Sequence, residues 1–174
     1  MDGKIKSISI IYGSDSGATE EIAKTIGRKL NVKNNLIKEV SRCNSEDFTK
    51  YNIIILGVST WYIGDLQNDW DDYFAEFEKI NFEGVNVCIF GLGDQYGYSY
   101  NYVDGIGILA EVIISNGGKV FGYWPNKGYE FDESRGIAAN GMFYGLALDE
   151  DNQPELSQKR IEDWVVKIKD ELGI

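Results

Sequence analysis

The chain has 174 residues, 43% of them hydrophobic, which is enough for one domain with a sizeable core and too apolar for disorder. A formal net charge of −11 disfavours nucleic acid and anionic membranes, and favours a basic protein partner or serves solubility alone. The sequence contains no histidine, which removes the commonest general base, the commonest metal ligand and every Ser–His or Cys–His nucleophile pair.

Residues 5–12 read as a buried strand, and residues 18–30 as a helix with Ile22, Ala23, Ile26 and Leu30 on one face. Residues 36–40 form a short, weaker strand, and the polar stretch 45–51 connects through a helical turn. Residues 53–58 are an uninterrupted apolar, β-branched run, the pattern of a strand buried on both faces in a parallel sheet. Trp70, Tyr73, Phe74 and Phe77 mark a second helix, and residues 85–90 another buried strand. A third helix over 103–115 is stopped by Gly117-Gly118, and a strand follows at 119–123. Residues 125–141, rich in Gly, Asn and acidic side chains, are expected as a loop, and 142–148 as a further strand. From residue 157 onward Ile161, Trp164, Val165, Ile168 and Leu172 make an amphipathic helix with Gly173 past its end.

Strands alternating with helices predict a single α/β domain over 1–174: a doubly wound parallel sheet with helices on both faces. No apolar run approaches the ~20 residues that span a bilayer. Met1-Asp2-Gly3-Lys4 lacks the cationic head and apolar core of a signal peptide. Cys43 and Cys88 form no motif and fit free thiols in a reducing cytoplasm.

In such a sheet ligands bind beyond the carboxyl ends of the strands. Three segments there have unusual composition. The first, Ser14-Asp15-Ser16-Gly17-Ala18-Thr19, is a strand-to-helix turn dense in hydroxyls and small residues. Backbone N–H groups and a helix dipole suit it to a phosphate, and it contains no Lys or Arg. An ordinary capped turn has the same composition. The second, Ser59-Thr60-Trp61-Tyr62-Ile63-Gly64-Asp65-Leu66, places two large aromatics in a loop. They cover either a flat ligand or the end of the core. The third runs from Gly91-Leu92-Gly93-Asp94 through Tyr96, Tyr98 and Tyr100 to Asn101-Tyr102. Its glycines admit close backbone approach and its tyrosines offer stacking faces; a packed surface loop is the alternative. Phosphate donors and aromatic planes converging on one sheet edge describe a site for a mononucleotide, and flavin mononucleotide fits it best.

The chain resembles the long-chain flavodoxins over almost its whole length. The resemblance is carried by Ile-Tyr-Gly-Ser-Asp-Ser-Gly-Ala-Thr at 11–19, Thr-Trp-Tyr-Ile-Gly-Asp-Leu-Gln at 60–67, Gly-Asp-Gln-Tyr-Gly-Tyr at 93–98 and Gly-Leu-Ala-Leu-Asp-Glu-Asp-Asn-Gln at 145–153. It implies a flavodoxin-like, three-layer fold with five parallel strands in order 2-1-3-4-5, the last split by an insertion near 125–141. It implies that Ser14, Asp15, Ser16, Gly17, Ala18 and Thr19 bind the phosphate of flavin mononucleotide (FMN). Trp61, in the segment Thr60 to Gly64, is then expected against the inner face of the ring system, and Tyr98 against the outer. Asp94, Asn101 and the backbone near Val103 are expected at the pyrimidine edge, Leu92 and Gly93 among the residues that bind the cofactor, and Asp151 near the ribityl chain. The Tyr62–Ile63 peptide corresponds to one that turns over on reduction. Four positions depart from the family pattern: Ala18 where Lys is common, Ser59 where Pro is, Leu92 where a small residue is, and Tyr62 where a smaller polar residue is. A bulky residue at 62 resists a positive backbone angle.

The implied function is that of a low-potential, one-electron carrier working between the semiquinone and hydroquinone of non-covalently bound FMN. It would be a cytoplasmic monomer and not an enzyme. Basic-faced redox partners follow from the resemblance: ferredoxin–NADP reductase and photosystem I, or pyruvate oxidoreductase and nitrogenase reductase. The alternative is an FMN-dependent NAD(P)H:quinone-type reductase of the same fold. A signalling receiver is excluded by Tyr12-Gly13 and Gly57-Val58, where acidic residues would be needed. A nucleoside-triphosphate enzyme is excluded because no Gly-Lys-Ser/Thr occurs.

Overall fold

A computed structural model describes residues 5–174, with backbone only at residues 5 and 6; the signal-peptide expectation for Met1 to Lys4 lies outside the described residues. In chain order the elements are β1 (Ile5–Tyr12), α1 (Ala18–Lys29), β2 (Ile37–Glu39), β3 (Tyr51–Trp61), β4 (Asp65–Leu66), α2 (Asn68–Phe77), β5 (Asn86–Leu92), α3 (Asp104–Ser115), β6 (Lys119–Phe121), β7 (Leu146–Leu148) and α4 (Pro154–Leu172).

The apolar strands split their side chains by parity, as a pleated backbone requires. Ile11, Ile54, Leu56, Val87 and Ile89 face one layer and pack with Trp70 and Phe77 of α2 and Ile106, Leu109 and Ile113 of α3. Ile10, Ile55, Cys88 and Phe90 face the other and pack with Ile22 and Ile26 of α1 and Ile161, Trp164 and Ile168 of α4. The sheet is therefore covered on both faces.

The strand order is β2-β1-β3-β5-β6, with β7 also on β5 and β4 a side hairpin on β3. Leaving out that hairpin and counting β6 and β7 as one strand, the order is 2-1-3-4-5, as expected. The split is visible in the register. β6 runs parallel to the start of β5 (Asn86↔Lys119 to Cys88↔Phe121), and β7 to its end (Phe90↔Leu146 to Leu92↔Leu148). Gly145 allows the chain to return to the sheet, because a Cβ there would sit 2.0 Å from Ile89 O. The excursion between the two pieces covers 122–145, wider than the expected 125–141. Met142, Phe143 and Tyr144, read from sequence as strand, instead belong to it: Phe143 makes isolated antiparallel bridges with Trp124 and Ile137.

Two strands run further than the sequence predicts. β3 continues through Ser59, Thr60 and Trp61, because Ser59 pairs with Leu92 of β5 and Thr60 and Trp61 pair antiparallel with Leu66 and Asp65 of β4. β5 likewise continues through Gly91 and Leu92. The helical stretch expected at 45–51 is a short 3₁₀ turn at Ser45–Phe48, closed by a capping box between Asn44 and Asp47. α4 begins at Pro154, before the expected residue 157, with proline in its first turn where its missing N–H costs nothing.

Asp47 gives a test of this packing. Burial works against its charge, but the Lys38 ammonium at 2.8 Å and the Asn44 N–H at 3.0 Å hold its carboxyl below the ordinary 3.8. A carboxyl depressed in the folded state stabilises above its unfolded pKa and loses that contribution as pH falls through the folded value. Asp47→Asn should cost about 1 kcal/mol at pH 7. It should also flatten the loss of stability below the usual carboxylate range, read from urea midpoints against pH.

Candidate functional site

The carboxyl ends of β1, β3, β5 and β7 meet at one edge of the sheet, where the strand order reverses between β1 and β3. The first segment leaves β1 there. Gly13 is held to the sheet by its N–H on Gly57 O at 3.2 Å, and a Cβ at 13 would lie 1.9 Å from Gln67 Oε1. Gly17 caps α1 in the left-handed region (φ 92°), with no side-chain cap, so the first-turn N–H groups face outward without a competing oxygen from the cap. Ser14 Oγ accepts from the Gly17 N–H at 3.0 Å. Buried Thr19 hydrogen-bonds Ser59 Oγ at 3.4 Å, which ties the turn to β3. Asp15 points elsewhere, its carboxylate accepting from Gln67 Nε2 (2.9 Å) and Asn68 Nδ2 (3.4 Å). The nearest helix cation, Lys24, is engaged by Glu20 at 2.6 Å. An anion at this turn is met by neutral donors.

The second segment is a hairpin. Trp61 ends β3, the chain turns through Tyr62, Ile63 and Gly64, and Asp65 starts β4. Tyr62 adopts φ 48°, the positive angle that its bulk resists, and Gly64 adopts φ 97°. The ring of Tyr62 is 60% exposed and edge-on to Tyr98, with centroids 6.4 Å apart at 89°. Trp61 lies 6.2 Å from Tyr62. Its indole Nε1 is buried with no hydrogen-bond partner among the described residues.

The third segment is braced by a buried carboxylate. Asp149, fully buried at the end of β7, accepts at Oδ2 from the Gln95 N–H (3.1 Å) and Gln95 Nε2 (2.7 Å), and at Oδ1 from the Asp151 and Asn152 N–H groups (3.1 and 2.9 Å). Asn152 Nδ2 bridges onward to Asp94 Oδ1 at 2.8 Å. Burial opposes the charge of Asp94, but the Gly97 N–H at 2.7 Å, the Asn152 amide and the Tyr96 N–H lower its pKa overall. Asp151 moves the other way, raised by partial burial at the cavity wall and then by the charges of Asp94 and Asp149. Gly93 lets the two ends of the loop touch, since a Cβ there would meet Val103 N at 2.9 Å.

The three segments enclose a cavity of about 330 Å³, within the range of small-ligand sites. Ser16, Ala18 and Thr19 line one end, Thr60, Trp61 and Tyr62 one wall, and Leu92, Gly93, Asp94, Tyr98 and Asp151 the other. Ser14 and Gly17 shape the turn behind it. Ile63 and Gly64 lie in the hairpin rim, and Asn101 and buried Val103 under the third loop, outside the lining. Ser59 and Glu150 also line it. The sequence does not single out Glu150, although its place in the acidic run after β7 could have suggested it. A larger cavity of about 780 Å³ lies at the opposite end of the sheet, by Ser7, Asn52 and Asn86. Among the described residues it has no aromatic wall and no helix N-terminus, and it stands at the amino ends of the strands. Among the described residues no His, Cys, Asp or Glu cluster could hold a metal ion.

The site fits FMN on its own features: an open left-handed turn with room at Gly17, and the aromatic rings of Trp61, Tyr62 and Tyr98 on the cavity. Fold and site define a doubly wound α/β protein with an aromatic-walled cavity at the switch point. The comparisons agree. The family model for flavodoxin matches residues 10–164. The chain is 44% identical to a flavodoxin of Synechocystis sp. over 163 residues, covering 93% of this chain and 95% of that one. It is 43% identical to flavodoxin 1 of Escherichia coli (strain K12) over 165 residues, covering 95% and 94%. The crystal structure of Fusobacterium nucleatum flavodoxin bound to flavin mononucleotide superposes with a TM-score of 0.86 at 34% identity, covering 96% of this chain and 99% of that one. The chain belongs to the flavodoxin family.

Proposed function

We propose that the cavity binds FMN and that the chain is a one-electron carrier and not an enzyme. The observation that carries this is the aromatic wall of Trp61, Tyr62 and Tyr98 on the same cavity as the uncapped turn at Gly17. Bound FMN supplies the redox chemistry, because its ring system takes up and releases electrons one at a time.

The chain's own residues do the rest. Residues 14–19 hold the phosphate by hydroxyls and backbone N–H groups, without a cation to cancel its charge. Trp61 and Tyr98 cover the two faces of the ring and keep water from it. Tyr62, edge-on to Tyr98, narrows the mouth against a stacked hydride donor, which argues against a reductase. Asp94 and Asp151 add negative field at the ring side and disfavour added electrons there. The exposed rim of Tyr62, Ile63, Tyr96 and Tyr100, with a chain charge of −11, supports docking of a basic-faced redox protein. Among the described residues no helix is long and apolar enough to cross a membrane.

An anaerobic reductive titration followed by absorbance tests the function. A yellow protein that reduces in two resolved one-electron steps is expected. A colourless protein that takes up no FMN would overturn it. Neutralising Asp94 and Asp151 to Asn should raise the lower midpoint potential. One charge at ~10 Å and an effective dielectric constant of ~20 amounts to roughly 1–2 kcal/mol, before screening at these part-exposed positions reduces it. An unmoved potential in the double variant would count against the field of these two carboxylates.

A further inference from the structure

The hairpin turn at 62–64 is strained and thinly held. Ile63 is 79% exposed, and Tyr62, 60% exposed, meets the rings of Trp61 and Tyr98. Tyr62 is a non-glycine residue in the left-handed region, a strained form that persists only where its surroundings over-determine it. The β3–β4 pairing above the turn is two residue pairs long. What lies beneath it is a carboxylate. A Cβ built on Gly64 would sit 2.8 Å from Asp104 Oδ2 and 3.1 Å from Asn101 Nδ2.

Asp104 is itself fixed. It is 2% exposed and is the first residue of α3, delivered there by Val103 in the left-handed region (φ 47°). Its Oδ1 accepts from the Arg135 N–H at 2.7 Å and its Oδ2 from Asn101 Nδ2 at 2.9 Å. The Arg135 guanidinium is turned away to Glu111 Oε2 at 2.9 Å. The carboxylate is thus a double acceptor held by neutral donors and the α3 N-terminus, and not half of an ion pair. The next residue, Gly105, donates its N–H to Thr60 Oγ1 at 2.9 Å. The first turn of α3 therefore grips the end of β3, and the Asp104 carboxylate lies beside Gly64 of the turn that follows it. Burying a carboxylate without a cation is expensive, and an apolar residue would pack as well if filling space were the whole task.

We propose that Asp104 is a positioning residue: it holds the Tyr62–Ile63–Gly64 turn in its strained form, and through it the ring-facing wall of the cavity. This rests on the FMN reading above only for its effect on binding; the turn itself can be read without flavin. Asp104→Asn removes the charge and keeps one acceptor for the Arg135 N–H, so the Asn101 amide must turn over to stay paired. Asp104→Ser, smaller and with one hydroxyl, loosens the same grip by another route. In the flavin-free protein, hydrogen exchange at the Trp61, Asp65 and Leu66 amides should quicken about tenfold in both variants, with β1 and β5 amides little changed. FMN affinity should fall about tenfold in Asp104→Asn. In a Tyr62→Gly background, where glycine removes the strain, the same substitution should cost less than about threefold. Exchange that is unchanged at the hairpin, or uniformly faster across the chain, would overturn the proposal. So would an equal loss of FMN affinity in both backgrounds, the mark of a charge acting through space alone. A parent protein that binds no FMN would overturn the flavin function and leave the exchange result to decide the role of Asp104.

Discussion

In a Trp61→Ala variant, FMN should bind roughly 10- to 100-fold more weakly than in the parent chain. Stacking of a flat heteroaromatic ring on an aromatic side chain is worth about 1–3 kcal/mol by alanine substitution. Trp61 is well placed to supply the whole of it. It ends β3, so its backbone is fixed by pairing with Asp65 of β4, and little entropy is lost when a ligand meets it. Its indole N–H has no partner to give up. Tyr98 is 41% exposed and stands on a loop, so Tyr98→Ala should cost less, about threefold to tenfold. Quenching of flavin fluorescence on titration into flavin-free protein measures both. Affinity within a factor of about two of the parent in both variants would remove these rings from the site.

The sheet was legible because its signal is one-dimensional. Ile53 to Val58 can only be a strand covered on both faces, and both faces are covered. The three segments at its carboxyl edge were legible for a similar reason: topology sends every parallel strand's end to the same side. What composition could not carry was the pairing of individual residues. Trp61 was expected in a loop, yet it belongs to β3, because a two-residue strand at Asp65–Leu66 is too short to leave a periodic trace. Phe143 was expected in the last strand, yet it bridges back to Trp124 and Ile137, since an apolar residue satisfies either placement. At Tyr62 the sequence favours a negative φ and the hairpin between β3 and β4 imposes a positive one. Asp149 is the plainest case. In sequence it is one member of the acidic run Asp149-Glu150-Asp151, and no count of charges shows that it alone of the three is buried.

That burial makes Asp149→Ala the most damaging single change to the site that the structure predicts. The carboxylate is fully buried and satisfies two N–H groups of Gln95, the Asp151 and Asn152 N–H groups and Asn152 Nδ2. Removing it leaves these donors facing a void, at a cost of about 1–3 kcal/mol for each that water cannot reach. About 3–5 kcal/mol in total is expected, comparable to breaking other buried charged groups, and roughly 10 °C in thermal midpoint for a chain of this size. Asp149→Asn should recover only part of this, because its amide nitrogen must face one pair of donors. The damage should also reach the ligand. Gln95 Oε1 accepts from the Glu130 N–H, and Asn152 Nδ2 holds Asp94 Oδ1, so the loop over 93–98 and the insertion lose a shared anchor. FMN affinity should fall with stability in Asp149→Ala, whereas Asp94→Asn, which keeps the Asp149 hub, should shift the lower potential and leave the thermal midpoint close to the parent value. Calorimetry and FMN titration on the two variants separate these effects. A thermal midpoint for Asp149→Ala within a few degrees of the parent would mean that water already serves those donors and that the loops are held by packing alone.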